Sequence, residues 1–313
     1  MTSVAVPLPG TAPRSRLRWD KHGLDWPNRS VSRFIDAAGM RWHVQRTGAG
    51  PELLLLHGTG ASTHSWRHLL PRLAERFTVT ALDLPGHGFT AQPPDGDQSI
   101  DAMARRIAEV LAALDVDPAY GLGHSAGAVI GVEMILDGLL APELMVGING
   151  AFFPFPGVTG PIFGALARVL AGTPVVPAVM ARMAKDPEAV ERLLQGTGSS
   201  IDAEGVALYR RLFEDRSHVR NTLAMMAHWN LHRLQKRLWQ LETPLHLIVG
   251  ERDETVPPRD AERVRERVDS CIVTTEPGLG HLAHEEAPER IATTVLHAVF
   301  GAGPIGHGRQ DHA

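Results

Sequence analysis

GLGHSAG, residues 121–127, places Ser125 between Gly123 and Gly127 in a G-x-S-x-G pattern. So short a match arises by chance, and its neighbours decide what it means. Upstream, AYGLGH (119–124) has the apolar composition of a buried strand, and downstream AGAVIGVEMIL (126–136) reads as a helix. A serine on a sharp turn between strand and helix is a nucleophile elbow. Small residues are needed at 123 and 127, because bulk there would strike the neighbouring strand or helix. The start of the helix also turns its partial positive charge toward the serine oxygen.

Working outward, ELLLLHG (52–58) is a continuous apolar run that suits a strand buried on both faces. FTVTALD (77–83), ELMVGING (143–150), PLHLIVG (244–250) and CIVTTE (271–276) share that character. SRFIDA (32–37) and MRWHVQR (40–46) flank Ala38-Gly39 and read as an opening hairpin. Helical patterns lie between the runs. After Ser99, the residues Ile100, Met103, Ile107, Val110, Leu111 and Leu114 form one apolar stripe. Near the end, Pro288 suits a first helical turn, with Ile291, Val295 and Val299 as the buried face. Alternating strands and helices predict an α/β fold with a mostly parallel, twisted sheet.

The alternation breaks over 151–240, which reads as helix and loop. The expected organisation is an N-terminal extension over 1–30, partly disordered, and a core over 31–150 and 241–300. A helical cap spans 151–240 and a flexible tail 301–313. Within the cap, Arg168, Pro174, Pro177 and Arg182 interrupt residues 164–184, predicting two short helices; further helices are expected over 186–195 and 203–235.

The 313 residues are 43% hydrophobic and 21% charged, which suits a soluble globular chain long enough for a large core. A formal net charge of −4 provides no basic field for nucleic acid. The single cysteine, Cys271, excludes an intrachain disulfide and fits a core position. The first sixteen residues lack the apolar core of a signal peptide, and no uncharged apolar run reaches about 18 residues. A cytoplasmic protein is expected. The 164–184 stretch is the one segment that could lie peripherally at a membrane.

A serine hydroxyl needs a base, and that histidine needs a carboxylate to hold its tautomer. Behind an elbow of this kind the chain order is serine, acid, histidine. LIVGERDETVPP places Asp253 just past a predicted strand, and PGLGHLAHEE places His281 in a loop after another. Glu251 and Glu254 are rival acids, but Asp253 fits a G-x-x-D-x-x-x-P spacing. His284 is a rival base that lies nearer the following helix. An oxyanion hole could come from HGTG (57–60), with the Thr59 N–H paired with that of Ala126. Candidate substrate-facing residues are His57, His124, Phe152 of FFPFPGVTG (152–160), and Met226 and Trp229. Packing within the cap is the favoured account of Met226 and Trp229, and the segment of Phe152 is alternatively the buried joint between cap and sheet. His64 with His68, and His228 with His232, are i,i+4 pairs, but no third ligand is placed; neither a metal nor a cofactor is expected.

HGTG, DLPGHG (83–88), GHSAG, GERDETVP and GLGH together resemble the α/β-hydrolase fold family over roughly residues 30–300. Ala128 and Thr90 depart slightly from that pattern. Because the elbow carries serine and not aspartate, the haloalkane dehalogenase and epoxide hydrolase branches are not expected. WPNRSVSRF, RWHVQRTGAGPELLLLHGTGASTHSW and MMAHWNL further resemble the magnesium-chelatase accessory proteins of bacteriochlorophyll biosynthesis. That resemblance implies a role near magnesium insertion into protoporphyrin IX, with a hydrophobic, tetrapyrrole-like small molecule and chelatase subunits as partners. It leaves open a hydrolase acting on a hydrophobic ester and a non-catalytic tetrapyrrole carrier.

Overall fold

The structure is a computed structural model and describes residues 17–154 and 175–301. Eight strands form one sheet: β1 (Ser32–Ala37), β2 (Met40–Gly48), β3 (Glu52–Leu56), β4 (Thr78–Leu82), β5 (Tyr120–His124), β6 (Leu144–Ile148), β7 (Leu245–Gly250) and β8 (Cys271–Glu276). Their order is β1-β2-β4-β3-β5-β6-β7-β8. β2 runs antiparallel to both β1 and β4, and every pairing from β4 onward is parallel.

The apolar runs are continuous because both faces of the sheet are covered. Leu54 and Leu56 enter one core cluster, and Leu53 and Leu55 the other. This period-two split follows from alternate Cβ directions along a strand. Burying each such leucine contributes roughly 1.5–3 kcal/mol.

The helices are α1 (Trp19–His22), α2 (Leu69–Leu73), α3 (Ile100–Ala113), α4 (Ala126–Leu136), α5 (Val175–Met183), α6 (Pro187–Gln195), α7 (Ala203–Phe213), α8 (Arg216–His228), α9 (His232–Arg237), α10 (Arg259–Arg265), α11 (Ala283–Glu286) and α12 (Pro288–Phe300). Ser99 caps α3 by accepting from the Ala102 N–H, and Ile100, Met103, Ile107, Val110 and Leu111 are its buried face. On α12 the buried residues include Ile291, Ala292 and Val295.

Among the described residues of 151–240 there are helices and no strand. The single helix expected over 203–235 is three. Asp215 stops it by folding its carboxylate onto the Ser217 and His218 N–H groups, starting α8 afresh. Trp229 then turns extended, at φ −71° and ψ 94°, and ends α8. Of the two helices expected over 164–184, α5 covers the second part and residues 155–174 lie outside the described residues. The expected extension is ordered at its C-terminal end. Trp26 is buried beside Leu208 and Leu212, and Trp19 packs edge-on to Phe34 and Phe89. Residues 1–16 and 302–313 lie outside the described residues. Among the described residues, no helix is long and apolar enough to cross a membrane.

Candidate active site

β5 ends at His124 and α4 begins at Ala126, so the whole reversal falls on Ser125. Its backbone takes φ 51° and ψ −112°, a region costing a non-glycine residue on the order of 1–3 kcal/mol. The neighbouring glycines are obligatory. A Cβ on Gly123 would lie 2.3 Å from the Ala128 nitrogen, and one on Gly127 would lie 1.9 Å from the Leu56 carbonyl oxygen. The Ser125 N–H donates to the Ile148 carbonyl at 2.9 Å, and its own carbonyl accepts from the Ala151 N–H at 3.2 Å. The strained turn is therefore stapled to the end of β6.

Asp253 and His281 follow β7 and β8, on the same edge. His281 Nδ1–H donates to Asp253 Oδ2 at 2.7 Å. Asp253 Oδ1 accepts from the Thr255 and Val256 N–H groups, both at 2.8 Å, so neither carboxylate oxygen is free to swing. With its proton on Nδ1, His281 leaves Nε2 as an acceptor. The Ser125 hydroxyl makes no hydrogen bond to His281 among the described residues. The two are linked through His124, whose ring centroid is 4.8 Å from that of His281 and whose Nε2–H donates to the His281 carbonyl at 2.9 Å. The rival base His284 is fully buried and bonded to Ser65 Oγ at 2.8 Å.

The HGTG loop passes directly over the elbow. A Cβ on Gly58 would meet His124 Nδ1 at 2.8 Å and Ser125 Cβ at 3.2 Å. Ala126 opens α4, so its N–H has no acceptor within the helix. His218 of α8 fixes the loop from above: its Nε2–H donates to the Gly60 carbonyl at 3.0 Å, and its Nδ1 accepts from the Gly88 N–H at 3.2 Å.

Several of the substrate-facing expectations need correction. His57 is fully buried with both ring nitrogens engaged, Nδ1 with the Gly58 carbonyl and Nε2 with the Leu84 N–H, each at 2.8 Å. It joins two loops and has no nitrogen left for a ligand. His124 is likewise buried; its Nε2 is engaged by the His281 carbonyl, and its Nδ1 has no hydrogen-bond partner among the described residues. Phe152 lies in the core at 1% exposure, the buried joint of the alternative reading. Trp229 is partly buried against that same core. Met226 is 49% exposed, whereas Met225 is fully buried with its sulfur 3.6 Å from Thr59 Oγ1. Helix phase explains the exchange: positions 218, 221 and 225 lie on one face of α8, and 226 is turned away from it.

Burial sets the protonation of the surrounding imidazoles. It pushes His57 and His87 down to about 3 and His218 to about 4, and holds His124 and His284 well below the ordinary histidine range. All five are neutral props near neutral pH. Burial raises the Cys271 thiol to about 11, so it is no thiolate nucleophile there.

Neither histidine pair expected from spacing shares a helix face. His228 ends α8 and His232 begins α9, while His64 is buried on Ser62 Oγ and His68 reaches Asp202 at 3.0 Å. Ligand atoms of His68, Asp202 and Glu204 lie within 4.8 Å of one another, but Arg67 already pairs with Asp202 at 3.0 Å and opposes a cation.

Three contributors carry no motif. Asn149 donates both amide protons to the base loop, to the Gly280 and His281 carbonyls at 3.0 and 2.8 Å, and accepts from the Gly250 N–H at 2.7 Å. The Thr197 carbonyl accepts from the Glu254 and His281 N–H groups, and Ser199 Oγ accepts from the Leu282 N–H. Only the Asn-Gly dipeptide after β6 hinted at a turn there.

Residues 53–294 match the model of the alpha/beta hydrolase family. The chain is 36% identical over 274 residues to the magnesium-chelatase 30 kDa subunit of Rhodobacter capsulatus, covering 87% of this chain and 95% of that protein. It is 27% identical over 274 residues to haloalkane dehalogenase 2 of Mycobacterium bovis, covering 85% and 93%. An α/β hydrolase fold protein from Burkholderia ambifaria superposes with a TM-score of 0.72 at 23% identity, covering 85% of this chain and 97% of that one. With the family match spanning most of the eight-stranded sheet and its elbow, this chain belongs to the alpha/beta hydrolase family.

Proposed function

We propose that the chain is a serine hydrolase acting on a hydrophobic, ester-like substrate. Ser125 Oγ attacks the carbonyl carbon, His281 Nε2 takes its proton, and Asp253 holds the imidazole in the required tautomer. The N–H groups of Thr59 and Ala126 receive the developing oxyanion. Collapse expels the alcohol, protonated by His281, and leaves an acyl-serine that water then cleaves by the same proton path. The helices of 151–240 serve as a cap over the edge of the sheet.

The observation that carries this reading is the strained serine at the elbow beside an ordered His281–Asp253 pair. Serine also favours an ester over a halide, despite the dehalogenase relative. Displacing halide with an alkoxide would leave a serine ether, which water does not cleave under these conditions, whereas an acyl-serine turns over. By likeness to the Rhodobacter protein, the substrate is a tetrapyrrole-related molecule near the magnesium chelatase step, with chelatase subunits as partners. A fluorophosphonate probe should label Ser125 in the folded protein, and Ser125→Ala should abolish labelling. An unlabelled wild type, with the Ala variant equally functional in the cell, would overturn the reading.

One observation favours a second reading, in which the chain holds or delivers a tetrapyrrole without cleaving it: its relative is named as a subunit and not as a hydrolase. Titration with protoporphyrin IX separates the two. Micromolar binding that survives Ser125→Ala favours the carrier, and no binding at that concentration removes it.

A further inference from the structure

We propose that Asn149 is a positioning residue that sets His281 and Asp253 against each other and against the elbow, acting through the main chain of both loops. The inference rests on the hydrolase reading for its kinetic consequence and on geometry alone for its structural one. Asn149 stands at the end of β6, between the strands that lead to Ser125 and to Asp253. It is 2% exposed, and its backbone lies at φ 48°, a left-handed conformation that asparagine tolerates better than most residues.

Three of the four hydrogen bonds its amide can make go to the site. The oxygen accepts from Gly250 N–H, the last residue of β7 and the start of the acid loop; the nitrogen donates to the carbonyls of Gly280 and His281 itself. The amide orientation is fixed by these partners, since the opposite one would set oxygen against two carbonyls. The His281 carbonyl receives a second donor from His124, the residue before the nucleophile. Three main-chain groups on two loops are thus tied by side chains at the ends of β5 and β6. The loops cannot slide independently: a Cβ on Gly250 would lie 2.3 Å from the Gly280 carbonyl oxygen. Without the amide, the base loop could shift relative to the acid loop, and a misplacement of about 1 Å typically costs on the order of a hundredfold in rate.

Two variants test this. Asn149→Gly takes φ 48° without strain and deletes the amide with its methylene. Asn149→Asp keeps the shape and the acceptor for Gly250 but turns a carboxylate oxygen toward two carbonyls. In both, the fluorophosphonate labelling rate constant at saturation should fall at least about tenfold, while the half-saturating probe concentration stays within about twofold. The low-field proton resonance of His281 Nδ1–H, shared with Asp253, should broaden or vanish in both, a readout that does not depend on catalysis. A Leu247→Ala core variant is the control; it should keep the labelling rate and resonance however far its melting temperature falls. Wild-type labelling and an unchanged resonance in either folded Asn149 variant would overturn the inference. An unlabelled wild type whose resonance still disappears on substitution would overturn the hydrolase reading and leave the positioning role standing.

Discussion

Ser32, His43 and Asp83 form a hydrogen-bonded chain of their own, far in sequence from Ser125, His281 and Asp253. Ser32 Oγ lies 3.0 Å from His43 Nε2, and His43 Nδ1 lies 2.8 Å from Asp83 Oδ2. Measured by these contacts alone, it is a more complete Ser-His-Asp arrangement than the one at the elbow, where only the histidine–aspartate bond is closed. The surroundings differ in kind. Ser32 sits relaxed at the start of an edge strand, at φ −78° and ψ 138°, and its oxygen already accepts from Gln45 at 3.1 Å. His43 is sealed among Trp19, Phe34 and Phe89, with ring centroids 4.9–5.6 Å away. Asp83 also accepts from the Thr63 and Phe89 N–H groups. That chain is a strut between β2 and the two loops that follow β3 and β4. The elbow has what the strut lacks: strain that presents the hydroxyl, an unspent helix N–H beside it, and a histidine nitrogen left open. Connectivity among three residues does not distinguish a relay from a brace; backbone strain and unspent donors do.

The aspartates should separate the two arrangements most sharply. Asp253→Asn leaves shape intact but disturbs the tautomer of His281, and the fall in turnover of a model ester or in probe labelling should be on the order of ten-thousandfold, with little change in melting. Asp83→Asn should do the reverse. It replaces a fully buried acceptor facing three N–H donors, two of them buried, and should cost roughly 3 kcal/mol or more in a urea melt while the folded fraction labels normally. If Asp83→Asn silenced a folded protein and Asp253→Asn did not, the assignments of strut and relay would have to be exchanged.

Acid provides the next test, because buried neutral histidines surround the elbow. His57 and His87 titrate at about 3 and His218 at about 4 in the folded chain, against about 6.5 when unfolded. Each has a depressed folded pKa, so its stability contribution is fully present above about pH 6.5 and drains as pH falls toward 4 and then 3. Between those limits the unfolded chain binds the extra protons, at about 1.4 kcal/mol per pH unit for each group. Three groups predict nearly level urea midpoints between pH 7.5 and 6.5 and a loss of a few kcal/mol between pH 6.5 and 5.5. Midpoints that stay level across that range would mean that these rings are not held neutral as the burial indicates. His57→Asn should flatten the profile in proportion to its one-group share.

The same contrast explains what was legible in the linear order. The strands and the elbow were readable because each is a local pattern: an apolar run, glycines two apart around a serine, a helix behind it. The spacing chose Asp253 and His281, and the structure pairs them by hydrogen bond, because both follow strand ends that the pattern had located. Asn149 was invisible, since its partners lie about 100 and 130 residues downstream and asparagine after a strand reads only as a turn. Composition does not tell Met225 from Met226, because one residue of helix phase decides which of them is buried. The break at Asp215 went unread because a capping aspartate inside a polar helix resembles any other charged position until its side chain is seen folding back. His57 reads as substrate-facing because it opens the HGTG loop; which way the ring points depends on the Leu84 N–H, supplied by the loop after β4.

The smallest expected effect is the most specific to the strut. Ser32→Ala removes the hydroxyl that donates to His43 Nε2 and accepts from Gln45. His43 keeps its proton on Nδ1, because Asp83 still demands it, so the ring does not turn. Ser32 is only partly buried, and water can replace the hydroxyl at both contacts. The loss should be about 1 kcal/mol in a urea melt, and the rate of probe labelling should stay within about twofold of wild type. A larger stability loss with unchanged labelling would mean that water does not reach His43 Nε2 and that the strut is tighter than its edge position suggests. A loss of labelling in folded Ser32→Ala protein would instead tie this second serine to the chemistry, and the distinction between strained and relaxed serines would no longer separate the two sites.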